Sequence, residues 1–274
     1  MIKTGEIFLS DVMPMDNQKQ YKIHLAVKNE HNQQPLDAFV MNFEKWKGWN
    51  SYRGNKNRFN RAYIFSMMDF YPQNGMWLFG GIWKVLERKD QWYEIELTDM
   101  YPEMIGRLKI HFPYTARTRS LKLNRYYDEM TVHEILPKIY DGEAFRGYEN
   151  IRLSYNELHT IINKQRTDWK TALENVYGVY LIMDKNNGNK YVGSAYGGSG
   201  IWSRWAQYIQ NGHGGNTLLN SLIGEKGIEY ARSHYQFSLL EYMPASTSDG
   251  AVINRENHWK EVLLSRGDYG YNAN

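Results

Sequence analysis

The sequence predicts an α+β protein of two parts, a β-rich first half joined by helices to a second half that mixes a β-hairpin with helices. Three observations carry this. The chain has 274 residues, more than the roughly 100–200 of a typical domain. The first half holds short aromatic and β-branched runs with period-two alternation, which fit strands. The second half carries apolar residues at helical spacing behind recognisable caps. At 42% apolar residues the chain can bury a core, which excludes a wholly disordered protein. The absence of cysteine excludes disulfide scaffolds, thiol nucleophiles and cysteine-based metal sites. No apolar run approaches the roughly 20 residues of a membrane helix, and Met1-Ile-Lys-Thr-Gly-Glu6 lacks a secretory core, so a cytoplasmic protein is expected.

In the first half, Gly5–Leu9, Met76–Leu86, Gln91–Leu97 and Arg107–Phe112 read as strands, with a hairpin turn at Lys89-Asp90. Gly80-Gly81 inside a strand marks a bulge or a close approach by another backbone. Short strands with loops between them suggest a small barrel or curled sheet, a layout that resembles small PUA-like barrels, which read modified or flipped bases. The net charge is only +3, but the basic residues are bunched. From Lys45 to Met68 there is no acid, while Lys45, Lys47, Arg53, Lys56, Arg58 and Arg61 alternate with aromatics. A second acid-free window, Arg107 to Tyr127, holds Arg117 and Arg119 among six cations. Cations in such windows neutralise phosphates, and aromatics beside them stack on bases, so these eight residues are the candidate DNA contacts. The alternative is solvated loops whose charges pair with acids elsewhere.

Ser154-Tyr-Asn-Glu157 fits a capping box, and Thr167-Asp168 can cap a second short helix. This gives a recognition domain over 1–150, a helical connector over 151–175 and a second domain over 176–274. There, two β-runs flank an Asn-Gly turn between Gly178 and Ala195. A helix follows with Arg204 and Tyr208 on one face, then a Gly-rich stretch around His213, a helical segment through Leu222, a strand at Phe237–Glu241 and a final helix from Ala251.

This order of elements resembles the GIY-YIG nuclease superfamily and most of all its phage homing-endonuclease branch. The carrying motifs are Gly178-Val-Tyr180, Tyr191-Val-Gly193 extended to Ser194-Ala195, Arg204-Trp205, Arg255-Glu-Asn-His-Trp259 and Gly270-Tyr-Asn272. The resemblance implies a small antiparallel sheet flanked by helices and a phosphodiester hydrolase using one divalent ion, Mg²⁺ with Mn²⁺ as a substitute. Glu256 matches the metal-holding glutamate, a hard oxygen ligand that suits Mg²⁺; its alternative is an i,i+4 pair with Lys260. Arg204 matches the arginine that clamps the scissile phosphate. Tyr180 and Tyr191 match the motif tyrosines, whose hydroxyls meet across the hairpin; Tyr191 is favoured as general base. Tyr208 matches the slot one turn after the arginine where relatives place His or Tyr, a catalytic position whose alternative is a packed helix aromatic; His213 matches a loop histidine suited to proton transfer or phosphate contact, and Asn272 matches the asparagine that braces the site. Ser194 stands where some relatives carry a lysine. The resemblance leaves residues 1–150 unassigned.

The expectation is a Mg²⁺-dependent endonuclease on duplex DNA, a restriction or defence enzyme with the first half as base reader, acting as a homodimer on DNA or by successive nicks. Its rivals are a mobile-element or repair nuclease acting on branched DNA, and a non-catalytic nucleic-acid binder.

Overall fold

A computed structural model describes residues 5–30 and 33–273. It divides into two compact units, residues 1–141 and 142–274. No helix among the described residues is long and apolar enough to cross a membrane.

The first unit runs α1 (Leu9–Val12), β1 (Tyr21–Ala26), α2 (Pro35–Met41), α3 (Phe43–Ser51), β2 (Tyr63–Asp69), β3 (Met76–Arg88), β4 (Tyr93–Leu97), β5 (Leu108–His111), β6 (Ser120–Lys122) and β7 (Thr131–Ile135). Its strands form one curled sheet in the order β6-β1-β2-β3-β5-β7, with β4 paired to the far half of the long β3. β1 and β2 are parallel and the other pairs antiparallel. The anticipated strand at Gly5–Leu9 is only an isolated bridge, Phe8 to Thr131, before α1 begins. Asp11 captures the Phe8 backbone N–H and turns the chain into a helix at that point.

The Lys45–Met68 window, whose alternative reading was a solvated loop, opens in α3 and closes in β2. Asn42 caps that helix by accepting from Glu44 N–H. Trp46 projects from α3 onto the sheet and is wholly buried, its Nε1 donating to the Gly80 carbonyl at 2.8 Å. The indole lies where a Gly80 side chain would be, so the visitor to the glycine pair is a side chain rather than a backbone. The bulge is present as well, since the register between β2 and β3 shifts opposite Gly80-Gly81.

Beneath α3 sits a polar knot. Asn50 donates to the Trp46 carbonyl, and its Oδ1 receives Ser66 Oγ while standing 2.9 Å from His24 Nδ1. Since Oδ1 can only accept, His24 carries its proton on Nδ1. Burial pushes the imidazole down to about 4, and the nearby Arg58 charge adds to that.

The second unit contains β8 (Arg152–Ser154), α4 (Tyr155–Asn163), α5 (Thr167–Glu174), β9 (Val176–Asp184), β10 (Lys190–Ala195), α6 (Gly200–Asn211), α7 (Thr217–Lys226), α8 (Ile228–His234), β11 (Tyr235–Pro244) and α9 (Asp249–Val262). Its sheet is antiparallel in the order β10-β9-β11-β8, which leaves β10 at an edge. The segment expected to be a connector contributes the fourth strand and two helices packed in the core, so it belongs to this unit. The Ser154–Glu157 capping box forms. α5 has no side-chain cap; Asp168 instead accepts from Phe145 N and pairs with Arg166. α8 has no counterpart in the sequence reading.

His24 fixes one solution property. The unfolded imidazole takes up a proton below its ordinary value of 6.5 and the folded one only near 4. Between those values the unfolded chain binds more protons, so stability is full above pH 6.5 and is lost as pH falls toward 4, by about 3 kcal/mol. Thermal melts from pH 7.5 to 4.5 should show this decline, and His24→Gln should flatten it.

Candidate active site

The site grows from the two motif strands. β9 and β10 pair so that Tyr180 stands opposite Gly193 and Tyr191 opposite Ile182. A side chain at Gly193 would come within 2.5 Å of the Tyr180 hydroxyl, so the glycine gives that phenol its place. A side chain at Gly178 would run into the Glu241 carbonyl on β11, where the β9–β11 register shifts. Both motif glycines are therefore steric requirements of a closely packed sheet.

Tyr180 is wholly buried, and its hydroxyl meets that of Tyr208 at 3.0 Å. The expected meeting of motif hydroxyls is thus replaced by a bond from strand to helix: Tyr191 lies beside Tyr180 with ring centroids 6.5 Å apart. Arg204, one turn before Tyr208 on α6, donates from Nε to the Tyr180 hydroxyl at 3.1 Å and lies over the Tyr208 ring. Its Nη1 donates to Gln207 Oε1 and to the Gly214 carbonyl, both at 2.7 Å. Those partners are all neutral, and no carboxylate among the described residues pairs with this half-buried guanidinium. Burial, followed by the neighbouring Tyr191, pushes the Tyr180 phenol well above its ordinary value; burial and Tyr180 do the same to Tyr208.

The loop after α6 completes this face. Asn211 Oδ1 accepts from the backbone N–H of His213 and of Gly214, and Gly214 packs against the Tyr208 ring. His213 Nδ1 accepts from Gly215 N–H, which places the imidazole proton of the neutral ring on Nε2.

Glu256 belongs to another group. On β10, Tyr191 and Gly193 face the tyrosine cluster while Val192 and Ser194 face the opposite side, and Val192 packs there with Val252 of α9. Ser194 Oγ donates to Glu256 Oε2, and Lys260 Nζ lies 2.7 Å from Oε1, both charged side chains largely buried. The i,i+4 pair weighed as an alternative to metal binding is therefore formed. The edge strand has the tyrosine cluster against one face and the Glu256 carboxylate against the other. Asn272 sits at its free edge: Oδ1 accepts from Val192 N–H and Nδ2 donates to the Val192 carbonyl. Glu241 accepts from Arg255 and Trp259, whose hydrogen bonds outweigh burial and hold its carboxyl below the usual range. That clamp fixes α9 beside the sheet.

As a metal ligand, Glu256 supplies one hard carboxylate, each oxygen of which accepts one partner and keeps a lone pair free. Mg²⁺ tolerates so sparse a protein shell because it retains waters, so this donor fits. Among the described residues no cluster of three or more His, Asp or Glu offers a denser cage. Ser194 and Lys260 as partners of Glu256 were not foreseen as site members, although the spacing of Lys260 was visible in the sequence.

The GIY-YIG catalytic domain family matches residues 176–272. That segment is a GIY-YIG domain, a nuclease domain. Two solved structures are similar to the chain. The structure of the catalytic domain of homing endonuclease I-TevI is 28% identical over 36% of this chain and 98% of that one, with a TM-score of 0.28. A mutant form of the catalytic domain of intron endonuclease I-TevI is 26% identical over 36% and 94%, with a TM-score of 0.29. No curated protein matches the sequence. The first unit lies outside the GIY-YIG match.

The eight candidate DNA contacts of the first unit are not equivalent. Arg53 donates to the carbonyls of Lys89 and Asp90 and so braces the β3–β4 turn. Lys45 lies against Met41, and Arg61 donates to the Tyr21 carbonyl and Asn124. Lys56, Arg58 and Arg117 are exposed, and Lys47 and Arg119 half-exposed.

The packing of the GIY-YIG unit yields a stability test. Tyr208→Phe removes a hydroxyl partner from the buried Tyr180 phenol and should cost about 1–3 kcal/mol in urea unfolding. Gly178→Ala should cost more, because the obstacle is backbone.

Proposed function

We propose that the chain is a Mg²⁺-dependent DNA endonuclease, a restriction or defence enzyme whose first unit recognises the DNA. The observation that carries the reading is Arg204, a half-buried guanidinium held by neutral acceptors in a GIY-YIG domain. Such a charge calls for an anion, and its Nη2 has no partner among the described residues and is free for a phosphate oxygen. The similarity to a homing endonuclease catalytic domain named above bears on the substrate class alone.

In this reading Arg204 grips the scissile phosphate, and the fork cannot swing because Tyr180 and Gly214 hold two of its nitrogens. Tyr180 and Tyr208 keep their protons, since burial disfavours both phenolates. That leaves Tyr191, buried beside Tyr180 but outside its hydroxyl pair, as the base: its phenol proton first passes to solvent, and the phenolate oxygen then takes a proton from the attacking water as the water oxygen bonds to phosphorus. His213 donates a hydrogen bond from Nε2 to a phosphate or sugar oxygen, and the leaving oxygen takes its proton from solvent. Glu256 would hold the divalent ion, whose chemistry is to take up negative charge on the leaving oxygen. Asn272 keeps the edge strand from shifting. A single site cuts one strand, so cleavage of duplex DNA would proceed by successive nicks or in a homodimer.

The test is a panel of plasmid, base-modified phage DNA, single strands and branched junctions, incubated with Mg²⁺ or Mn²⁺. Wild-type protein should give discrete fragments that Glu256→Ala and Arg204→Ala reduce by at least about 100-fold. Base-modified or plain duplex as preferred substrate supports defence; a preference for branched DNA overturns it in favour of repair. Binding without metal-dependent cutting of any member overturns the enzyme.

A further inference from the structure

We infer that the β1–β6 edge of the first unit is a docking surface for the phosphate backbone of duplex DNA, built from Lys22, Arg58, Arg61, Lys122 and Arg125. The inference rests on the DNA reading above and gives it a place.

The two acid-free windows, about sixty residues apart in sequence, are brought together at this edge. β6 comes from the second window and pairs with β1, setting Lys122 against Lys22 and Ser120 against His24 on one face of the sheet. The first window reaches the same place: Ser120 Oγ donates to the Arg58 carbonyl at 2.9 Å, and Arg61 Nη1 donates to Asn124 at 2.9 Å and to the Tyr21 carbonyl at 3.0 Å. Arg125 lies in the turn that follows β6. Arg58, Lys122 and Arg125 are exposed, and Lys22 and Arg61 half-buried.

These cations crowd one another. Burial, then the charges of Arg61 and Lys122, hold the Lys22 ammonium below its ordinary value; burial and then Arg125 lower that of Arg61. None of the five forms an ion pair with a carboxylate among the described residues, whereas Lys89, Lys109 and Lys138 of the same unit all do. A fold that leaves five like charges together unneutralised has a surface complementary to a polyanion. Ser120 and Asn124 set uncharged polar groups among the cations, the mixture that meets phosphate and sugar oxygens. The patch is not the one expected from the windows taken singly: Arg53 is spent on a turn, and Arg119 faces away from Ser120 and Lys122.

The experiment uses the full chain without divalent ions, so that binding is read without cutting. Fluorescence anisotropy of a labelled duplex of about 30 base pairs is followed from 50 to 300 mM NaCl. The variant Lys22→Gln/Lys122→Gln/Arg125→Gln removes three charges with no hydrogen-bond partner among the described residues. Lys138→Gln, a cation paired with Asp141, is the control. Each lost phosphate contact should flatten the plot of log K against log salt by about 0.9. The triple variant is therefore expected to lose a slope of about 2–3 and to bind about 10–100-fold more weakly at 100 mM salt, with the control unchanged. If the triple variant melts early, Lys122→Glu alone, at an exposed position, should weaken binding severalfold. Wild-type slope and affinity in these variants, while wild-type protein binds duplex, would overturn this surface and leave the nuclease reading standing. Wild-type protein that binds no duplex would overturn the DNA reading together with the surface. Tighter binding of single-stranded RNA than of duplex through the same residues would overturn the choice of partner.

Discussion

A phenol with no access to water must find its hydrogen-bond partners inside the protein, and the second unit is arranged around the one at Tyr180. The hydroxyl lies in a region of tryptophan, tyrosine and phenylalanine rings, where an unpaired polar group costs about 1–3 kcal/mol. Its partners come from one helix, Tyr208 and Arg204 a turn apart on α6. That fixes the rotation of α6 about its axis and, through Gly214, the path of the loop carrying His213. Tyr155 adds a further tie, its hydroxyl bonding to the carbonyls of Tyr208 and Ile209. Removing the phenol would therefore loosen a helix, a loop and the guanidinium together. Buried polar networks behave cooperatively in this way, since each member keeps the others satisfied.

The edge position of β10 gives the site its second property. An interior strand has both neighbours occupied; an edge strand has one side free, which here is taken by the side chain of Asn272 acting as a surrogate backbone. With its register locked, alternation from Tyr191 to Ser194 sends a phenol to one face and a serine hydroxyl to the other. The Arg204 guanidinium on α6 and the Glu256 carboxylate on α9 then approach the strand from its two faces. The arrangement also keeps the Arg204 charge apart from the Glu256 carboxylate, which would otherwise neutralise it.

Much of the second unit was legible because its signals are local. Hairpin, caps and helix-face spacing are each decided within a few residues, and the motif glycines occupy positions where any side chain would collide. The contact between the Tyr180 and Tyr208 hydroxyls was not legible, because it depends on how a helix rotates against a sheet. Nor was the role of Ser194, whose partner is sixty-two residues away. In the first unit only three of the seven strands, β3, β4 and β5, were visible. β1 pairs in parallel with β2 and is followed by two helices, an order that alternation within a window cannot reveal. The β1–β6 basic edge is the extreme case, since neither window alone is a patch and the patch exists only through the pairing of strands distant in sequence.

One feature of the second unit reaches beyond this chain. The family match begins at residue 176, yet the sheet's fourth strand, β8, and the helix carrying Tyr155 precede it. A segment cut at the family boundary would leave β11 with an unpaired edge and the Tyr155 slot in the core vacant. The compact unit is therefore longer than the segment the family match covers. A segment that begins near residue 142 keeps the strand, the helix and the core slot together.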